Sequence, residues 1–397
     1  MEKEDTEKSW ETDKMSRRSY RACINETRIE EMGVQPLLDT LEKLGGWPVL
    51  QDGHEQKDYE SFKWYDQVQL LNKEGLSFNY IMSLYIDADD KNNSYRVFKL
   101  DQTNLGMYRD YLIKGFDDEQ VQHYYQYMID AEVLLGADET KAKEQLKDSL
   151  LFEISLASIS APGEERRDNN KLYNPTTLGE LDSVAHKAEE PAHPPSWQKY
   201  VASLVRDGIH YKEETEVANQ DEDIVIKEDE KVILRDPVFF KKLPFLILKT
   251  NPKVIANYMA WRVVQSRIKY LNKAAQDIRQ KYIKARTGIV GKEPTWKKCV
   301  GATDFNSMYV REYFKPEAKK EMLIMISYIR ASFGKLLDEI TWMDNETKTE
   351  AKRKLEKMDQ FIAYPDELLD QNIVDGLNEG IIYQKRNFLN HYFLDFY

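Results

Sequence analysis

Along most of the chain, apolar side chains recur at steps of three and four, the spacing that gathers them on one face of an α-helix. Leu37, Leu38, Leu41 and Leu44 form such a face behind Pro36, whose fixed φ suits a first helical turn, and Gly45-Gly46 ends it. Asp117 and Gln120 have capping-box spacing ahead of Val121, Tyr125, Met128 and Leu135. Residues 139–159 place Ala142, Leu146, Leu150, Ile154 and Ala157 on one stripe. The clearest pattern runs from about Pro316 to Ile340 and carries Met322, Met325, Ile326, Ile329, Phe333, Leu336, Leu337 and Ile340. Core packing is the favoured reading of that Met-rich stripe, over a binding groove. Asp344 then caps a charged helix with Ala351, Leu355 and Met358 inward, ended before Tyr364-Pro365.

Two stretches break the helical rhythm. Residues 77–100 hold two β-rich runs, Phe78 to Tyr85 and Tyr95 to Phe98, around an Asp/Asn turn that includes Asp87, Asp89 and Asp90. Ile224-Val225-Ile226, after Asp221-Glu222-Asp223, reads as a further short strand, and Pro191, Pro194 and Pro195 mark a loop. No internal repeat or low-complexity linker interrupts the chain. The expected fold is therefore mainly α: a large multi-helix lobe with a small β-hairpin (about 77–100) and a short strand near 224–226. The expected organisation is a polar tail over 1–15 and one helical domain over 16–397.

Charge and composition narrow the partners. At 41% apolar and 32% charged residues the chain is globular in character rather than disordered. Lys and Arg number 57 against 69 Asp and Glu, a net charge of −12 that argues against nucleic acid as a ligand. No run of about 20 apolar residues is present, so no membrane span is expected in this chain. Met1-Glu2-Lys3-Glu4-Asp5 has none of the apolar core of a signal peptide.

Catalytic chemistry is not legible. Zinc hydrolysis would want two imidazoles one helical turn apart with a carboxylate between them. None of His54, His123, His186, His193, His210 and His391 begins such a motif; His186 and His193 have Glu189 and Glu190 nearby, but prolines intervene. No serine elbow, catalytic cysteine signature or phosphate-binding glycine loop appears. Asp221, Asp223 and Asp229 lack the glycine and ligand order of a calcium loop and read as a solvated acidic face, as do Asp87, Asp89 and Asp90 at the hairpin turn. Glu153 sits at the edge of an apolar stripe, where a carboxylate wants a cation; Arg166-Arg167 are the expected partners in a structural ion pair.

Cys23 and Cys299 are the two cysteines, and Asn25-Glu26-Thr27 beside the first is a glycosylation acceptor. A long-range disulfide in an oxidising compartment and two unrelated buried thiols are both compatible with that count. Asn92-Asn93-Ser94 and Asn345-Glu346-Thr347 are further acceptors.

Longer strings carry more information. Tyr20-Arg21-Ala22-Cys23-Ile24-Asn25-Glu26, with Pro36-Leu37-Leu38 and Gly45-Gly46-Trp47-Pro48-Val49, resembles the neprilysin family of zinc metallopeptidases. In family order follow Asp101-Gln102, Leu105-Gly106 with Arg109-Asp110-Tyr111, Phe152-Glu153-Ile154, Arg166-Arg167-Asp168, and Tyr173-Asn174 with Thr177-Leu178. Asn257-Tyr258-Met259-Ala260-Trp261-Arg262, Trp296-Lys297-Lys298-Cys299, Thr341-Trp342-Met343-Asp344 and Ala363-Tyr364-Pro365-Asp366 complete the likeness over nearly all of 16–370.

The resemblance implies a Cys23–Cys299 bond, an extracellular or cell-surface location and a sugar at Asn25. It implies a helical lobe that walls a chamber admitting short peptides. It also implies that the zinc-bearing half, with its substrate-binding string, His-Glu-x-x-His helix and glutamate ligand, lies beyond the matched region. No catalytic or zinc residue of the family is therefore carried over to this chain; zinc is the cofactor of the complete enzyme and peptides are its substrates. Two functions follow as expectations: part of a neprilysin-like metalloendopeptidase, inactive alone, or a secreted non-enzymatic peptide-binding protein derived from one. A broadly apolar face where a catalytic lobe would sit favours the first, a polar one the second.

Overall fold

The computed structural model describes residues 9–50, 59–185, 194, 196–209, 225–301 and 305–377. They belong to two compact units, one built from the segments flanking Ile24 and Pro294, the other from the residues between them. Each unit is mainly helical, as the periodicity requires.

The first unit opens with α1 (Glu11–Ile24), which carries Glu11 and Asp13 in its first turn and buries Tyr20 and Cys23. Acidic residues there complement the positive end of the helix dipole.

The second unit begins with α2 (Glu26–Met32), capped by the Asn25 side chain accepting from Arg28 N–H. In α3 (Gln35–Lys43) Leu37 and Leu41 point inward, and the helix stops where Gly45 and Gly46 take φ of +92° and +88°. Both angles are in the region that glycine enters without a Cβ penalty, and Gly46 N–H closes back on Leu41 C=O. α4 (Trp64–Lys73) buries Trp64, Tyr65, Val68 and Leu71.

The expected hairpin is present as β1 (Ser83–Ala88) and β2 (Arg96–Asp101), antiparallel with Ser83 opposite Asp101 and Ala88 opposite Arg96. Next come α5 (Arg109–Leu112), α6 (Glu119–Leu134) and α7 (Glu139–Ile159). The cap of α6 is Asp118, one residue later than the spacing suggests, because Asp118 holds the extended backbone that lets its carboxylate accept from Gln120 and Val121.

β3 (Asn174–Thr177) leads into α8 (Leu178–Ala185) and α9 (Trp197–Ile209), and β4 (Lys231–Leu234) follows. The sheet order is β1-β2-β4-β3, with β4 parallel to β2 and antiparallel to β3. The strand expected near 224–226 is thus displaced to 231–234. Ile224 lies outside the described residues, and Val225 and Ile226 are in no strand. Lys231–Leu234 has partners on both sides, and ladder bonds outweigh local β-propensity. The prolines at 191 and 195 lie outside the described residues; Pro194 is in no helix or strand.

α10 (Pro237–Lys249), α11 (Pro252–Arg267) and α12 (Lys273–Thr287) complete this unit, capped by Asp236, Asn251 and Asn272. α11 is central: Ile255, Tyr258, Met259, Trp261, Val263 and Val264 are all buried, so most of its circumference faces protein.

The first unit resumes with α13 (Thr295–Gly301), α14 (Asn306–Tyr313), α15 (Pro316–Glu339), α16 (Asn345–Glu356) and α17 (Gln371–Leu377). Asp375 on α17 caps α1, accepting from Thr12 N–H at 3.0 Å and from its hydroxyl at 2.8 Å. Arg311 on α14 reaches buried Asp13 at 2.6 Å and stacks on Trp10. As expected, α16 starts at Asp344, whose carboxylate accepts from Thr347 N–H.

Candidate functional site

α15 is a helix where the pattern places one, but its apolar stripe is not core. Leu337 alone among its residues is buried; Met322, Met325, Phe333 and Leu336 are exposed, and Ile329 is 59% exposed. α16 buries none of its residues, and Met358, expected to point inward, is exposed too. Helical periodicity says which side chains share a face, not whether anything covers that face. Trp342 and Phe361 extend the exposed apolar surface within this unit.

The same unit contains the disulfide. Cys23 on α1 and Cys299 on α13 are bonded with Cα atoms 5.6 Å apart, both sulfurs buried. The acceptors Asn25, Asn92 and Asn345 are all exposed. Asn92 sits at the hairpin turn, where its side-chain carbonyl accepts from Ser94 N–H.

In the second unit the polar side chains are structural. Glu153 on α7 is fully buried and accepts from Gly106 N–H and, at 3.1 Å, from the Tyr124 hydroxyl. Its cation is Arg262 on α11, 3.8 Å away, not the expected Arg166-Arg167. Arg166 instead pairs at 2.6 Å with Asp101, the last residue of β2. Trp261 Nε1–H donates to the Tyr124 hydroxyl at 2.7 Å, Arg262 donates to Tyr258 Oη at 2.9 Å and to the Asn104 carbonyl, and Gln265 donates to the Gly106 carbonyl. Burial pushes the Glu153 carboxyl up, against the Arg262 charge and the bonds from Gly106 and Tyr124 that pull it down. Each oxygen of Glu153 thus accepts from a protein donor beside the Arg262 charge, the arrangement of a structural ion pair. The signal missed in the sequence was the run Tyr258, Trp261, Arg262, Gln265 at helical spacing, a polar edge on an otherwise apolar helix.

The acidic hairpin turn is also structural, though less solvated than its composition suggests. Asp89 is buried and bonded by Lys231 and Tyr173, and the Lys231 hydrogen bond, with Lys91 N–H, brings its carboxyl down to about 2. Lys99 is buried and bridges Asp87 at 3.0 Å and Asp90 at 3.2 Å. Asp229 is an exposed turn residue; Asp221 and Asp223 lie outside the described residues.

Among the described residues no three His, Cys, Asp or Glu side chains converge. His123 faces only Glu119, 3.7 Å away on the same helix. His54, His186, His193, His210 and His391 lie outside the described residues. No step through zinc is derived from these side chains. Among the described residues no helix is long and apolar enough to cross a membrane.

Comparison with known proteins agrees with the strings read from the sequence. The chain is 37% identical to neprilysin-2 of Drosophila melanogaster over 368 residues, covering 88% of this chain and 45% of that protein. It is 31% identical to human endothelin-converting enzyme 1 over 366 residues, covering 90% of this chain and 44% of that one. It therefore spans about half the length of the curated relatives it matches. Among solved structures, PepO from Lactobacillus rhamnosis superposes with a TM-score of 0.67 at 16% identity, over 98% of this chain and 57% of that one. The Mycobacterium tuberculosis zinc metalloprotease Zmp1 in complex with an inhibitor superposes with a TM-score of 0.66 at 17% identity, over 94% and 52%. At those identities the likeness is one of fold. The family model described as peptidase family M13 matches residues 1–365, and the chain belongs to that family.

Proposed function

We propose that this chain supplies the N-terminal helical part of a neprilysin-like zinc metalloendopeptidase that cleaves small peptides outside the cell or at its surface. On this reading it contributes the wall that limits which peptides reach the metal, and it does not hold zinc or cleave by itself. The metal, the water it activates and the general base come from the part of the family's length that this chain does not span. The Cys23–Cys299 bond and the exposed acceptors Asn25, Asn92 and Asn345 fit an oxidising, glycosylating compartment.

The observation that carries the reading is the uncovered apolar face of α15. Met322, Met325, Ile329, Phe333 and Leu336 are each about half exposed or more. Covering them would gain roughly 1 kcal/mol apiece, which a free-standing peptide-binding protein would leave unused. A seat for further M13 chain explains them; a secreted binding protein calls for a polar face there.

Sequencing the transcript beyond the codon for Tyr397 tests this. The reading expects an open frame that encodes a His-Glu-x-x-His helix. An in-frame stop, with secretion of a protein that binds peptides without cutting them, would replace it with the binding-protein reading.

A further inference from the structure

We propose that the face of α12 carrying Arg279 and Arg286 binds the carboxylates of a short, extended acidic peptide. All its parts lie in the second unit. α12 packs against α6, and Tyr282 stacks on buried Tyr127 of that helix, with ring centroids 4.7 Å apart and planes within 4° of parallel. Arg279, Tyr282 and Arg286 follow one another at steps of three and four, so they share one stripe of α12. The Arg286 guanidinium lies over two rings, Tyr282 at 5.7 Å and the exposed Tyr108 at 5.6 Å. Burial pushes the Tyr127 hydroxyl up and the Arg279 charge opposes it, which places the second guanidinium beside the same stack.

Neither guanidinium has a hydrogen bond or an ion pair among the described residues, and Arg286 Nε is buried without an acceptor. The nearby carboxylates are engaged elsewhere. Asp277, the one acid on α12, holds Lys273 and Lys292. Asp130 and Glu119 on α6 face Lys281 and His123, Glu132 is fully buried, and Asp110 beside Tyr108 faces Arg109. A ring against the flat side of a guanidinium leaves its in-plane N–H fork open, and that fork matches a carboxylate with two parallel bonds. The two arginines stand two turns apart, roughly 10 Å along the helix axis. In a polyproline II peptide, residues one turn apart lie on the same side and about 9 Å from each other. Acidic side chains at that spacing reach both arginines, with the residues between them over Tyr282. The net charge of −12 gives such a ligand no long-range attraction, so the contact is local and reversible.

The test is fluorescence anisotropy of the full 397-residue chain with two amidated peptides carrying the same N-terminal dye, Glu-Ala-Ala-Glu and Gln-Ala-Ala-Gln. Binding is expected for the glutamate peptide only and is expected to weaken with salt. R279Q and R286Q should each lower the affinity about tenfold. R286K should restore part of the loss, because an ammonium keeps the charge but lacks the fork. K284Q, at an exposed position on the opposite side of α12, should change nothing. Both arginines are only half-buried, circular dichroism confirms that each variant is folded, and R286K keeps the comparison open should R286Q unfold. Equal binding of the two peptides, no binding of either at about 1 mM, or a loss with K284Q as large as with R286Q would overturn the proposal. So would a heparin fragment that displaces the peptide and binds more tightly, because the occupant would then be a sulfated polysaccharide. None of these readouts involves zinc or peptide cleavage, so failure here leaves the peptidase reading standing, and the reverse holds as well.

Discussion

Replacing Glu132 with Gln should remove a pH dependence from the stability of the second unit. Glu132 lies on α6 with no surface exposed, and neither carboxyl oxygen has a hydrogen-bond partner among the described residues. Burial alone pushes its carboxyl up to about 9, from an ordinary 4.5. An unpaired charge there would be costly, so the folded chain keeps the proton that the unfolded chain gives up. The contribution is therefore fully present below pH 4.5 and is lost as pH rises through the window up to about 9. One proton retained on folding gives a slope of about 1.4 kcal/mol per pH unit, or roughly 3 kcal/mol between pH 6 and pH 8. Glutamine has nearly the same shape and does not titrate. Urea unfolding followed by tryptophan fluorescence at the two pH values, with wild type and E132Q side by side, isolates the term because every other group is shared. The wild type should lose about 3 kcal/mol more than E132Q over that interval. Equal losses in the two proteins would show that Glu132 is ionised in the fold and would refute the argument.

Two further substitutions address the frame of the fold. A Cβ on Gly106 would overlap the Tyr124 hydroxyl and come within 2.7 Å of Gln265 Oε1, so Gly106→Ala should break the bonds around Glu153 and cost about 1–3 kcal/mol, read as a lowered urea midpoint. Cys23→Ser with Cys299→Ser should loosen the first unit by about 2–5 kcal/mol, seen as faster hydrogen exchange in α1 and α13 with little change in α11.

Local chemistry was the legible part of the sequence. The helix at 139–159 and the start of α15 at Pro316 match their apolar spacing, and Asp344 caps where its chemistry says it should. What escaped depends on partners far along the chain. β3 is Asn174-Pro-Thr-Thr, four residues with a proline that argues against a strand, yet it pairs as an edge because β4 offers it a ladder. Glu153 lies nearer in sequence to Arg166, but packing brings α7 against α11 and supplies Arg262 instead. The α15 stripe shows the limit most clearly: spacing fixes which side chains face one way, and only a neighbour decides whether they are core or surface. The candidate site was legible only through the strings that place the chain in its family, since among the described residues no three His, Cys, Asp or Glu side chains converge.

The central claim is that this chain builds one part of a peptidase and leaves the metal chemistry to another. Zinc content and cleavage of a short peptide, measured together on the purified disulfide-bonded chain, test it most directly. The account predicts metal well below one zinc per chain and no hydrolysis above background. One tightly held zinc per chain together with turnover that a chelator abolishes would contradict it.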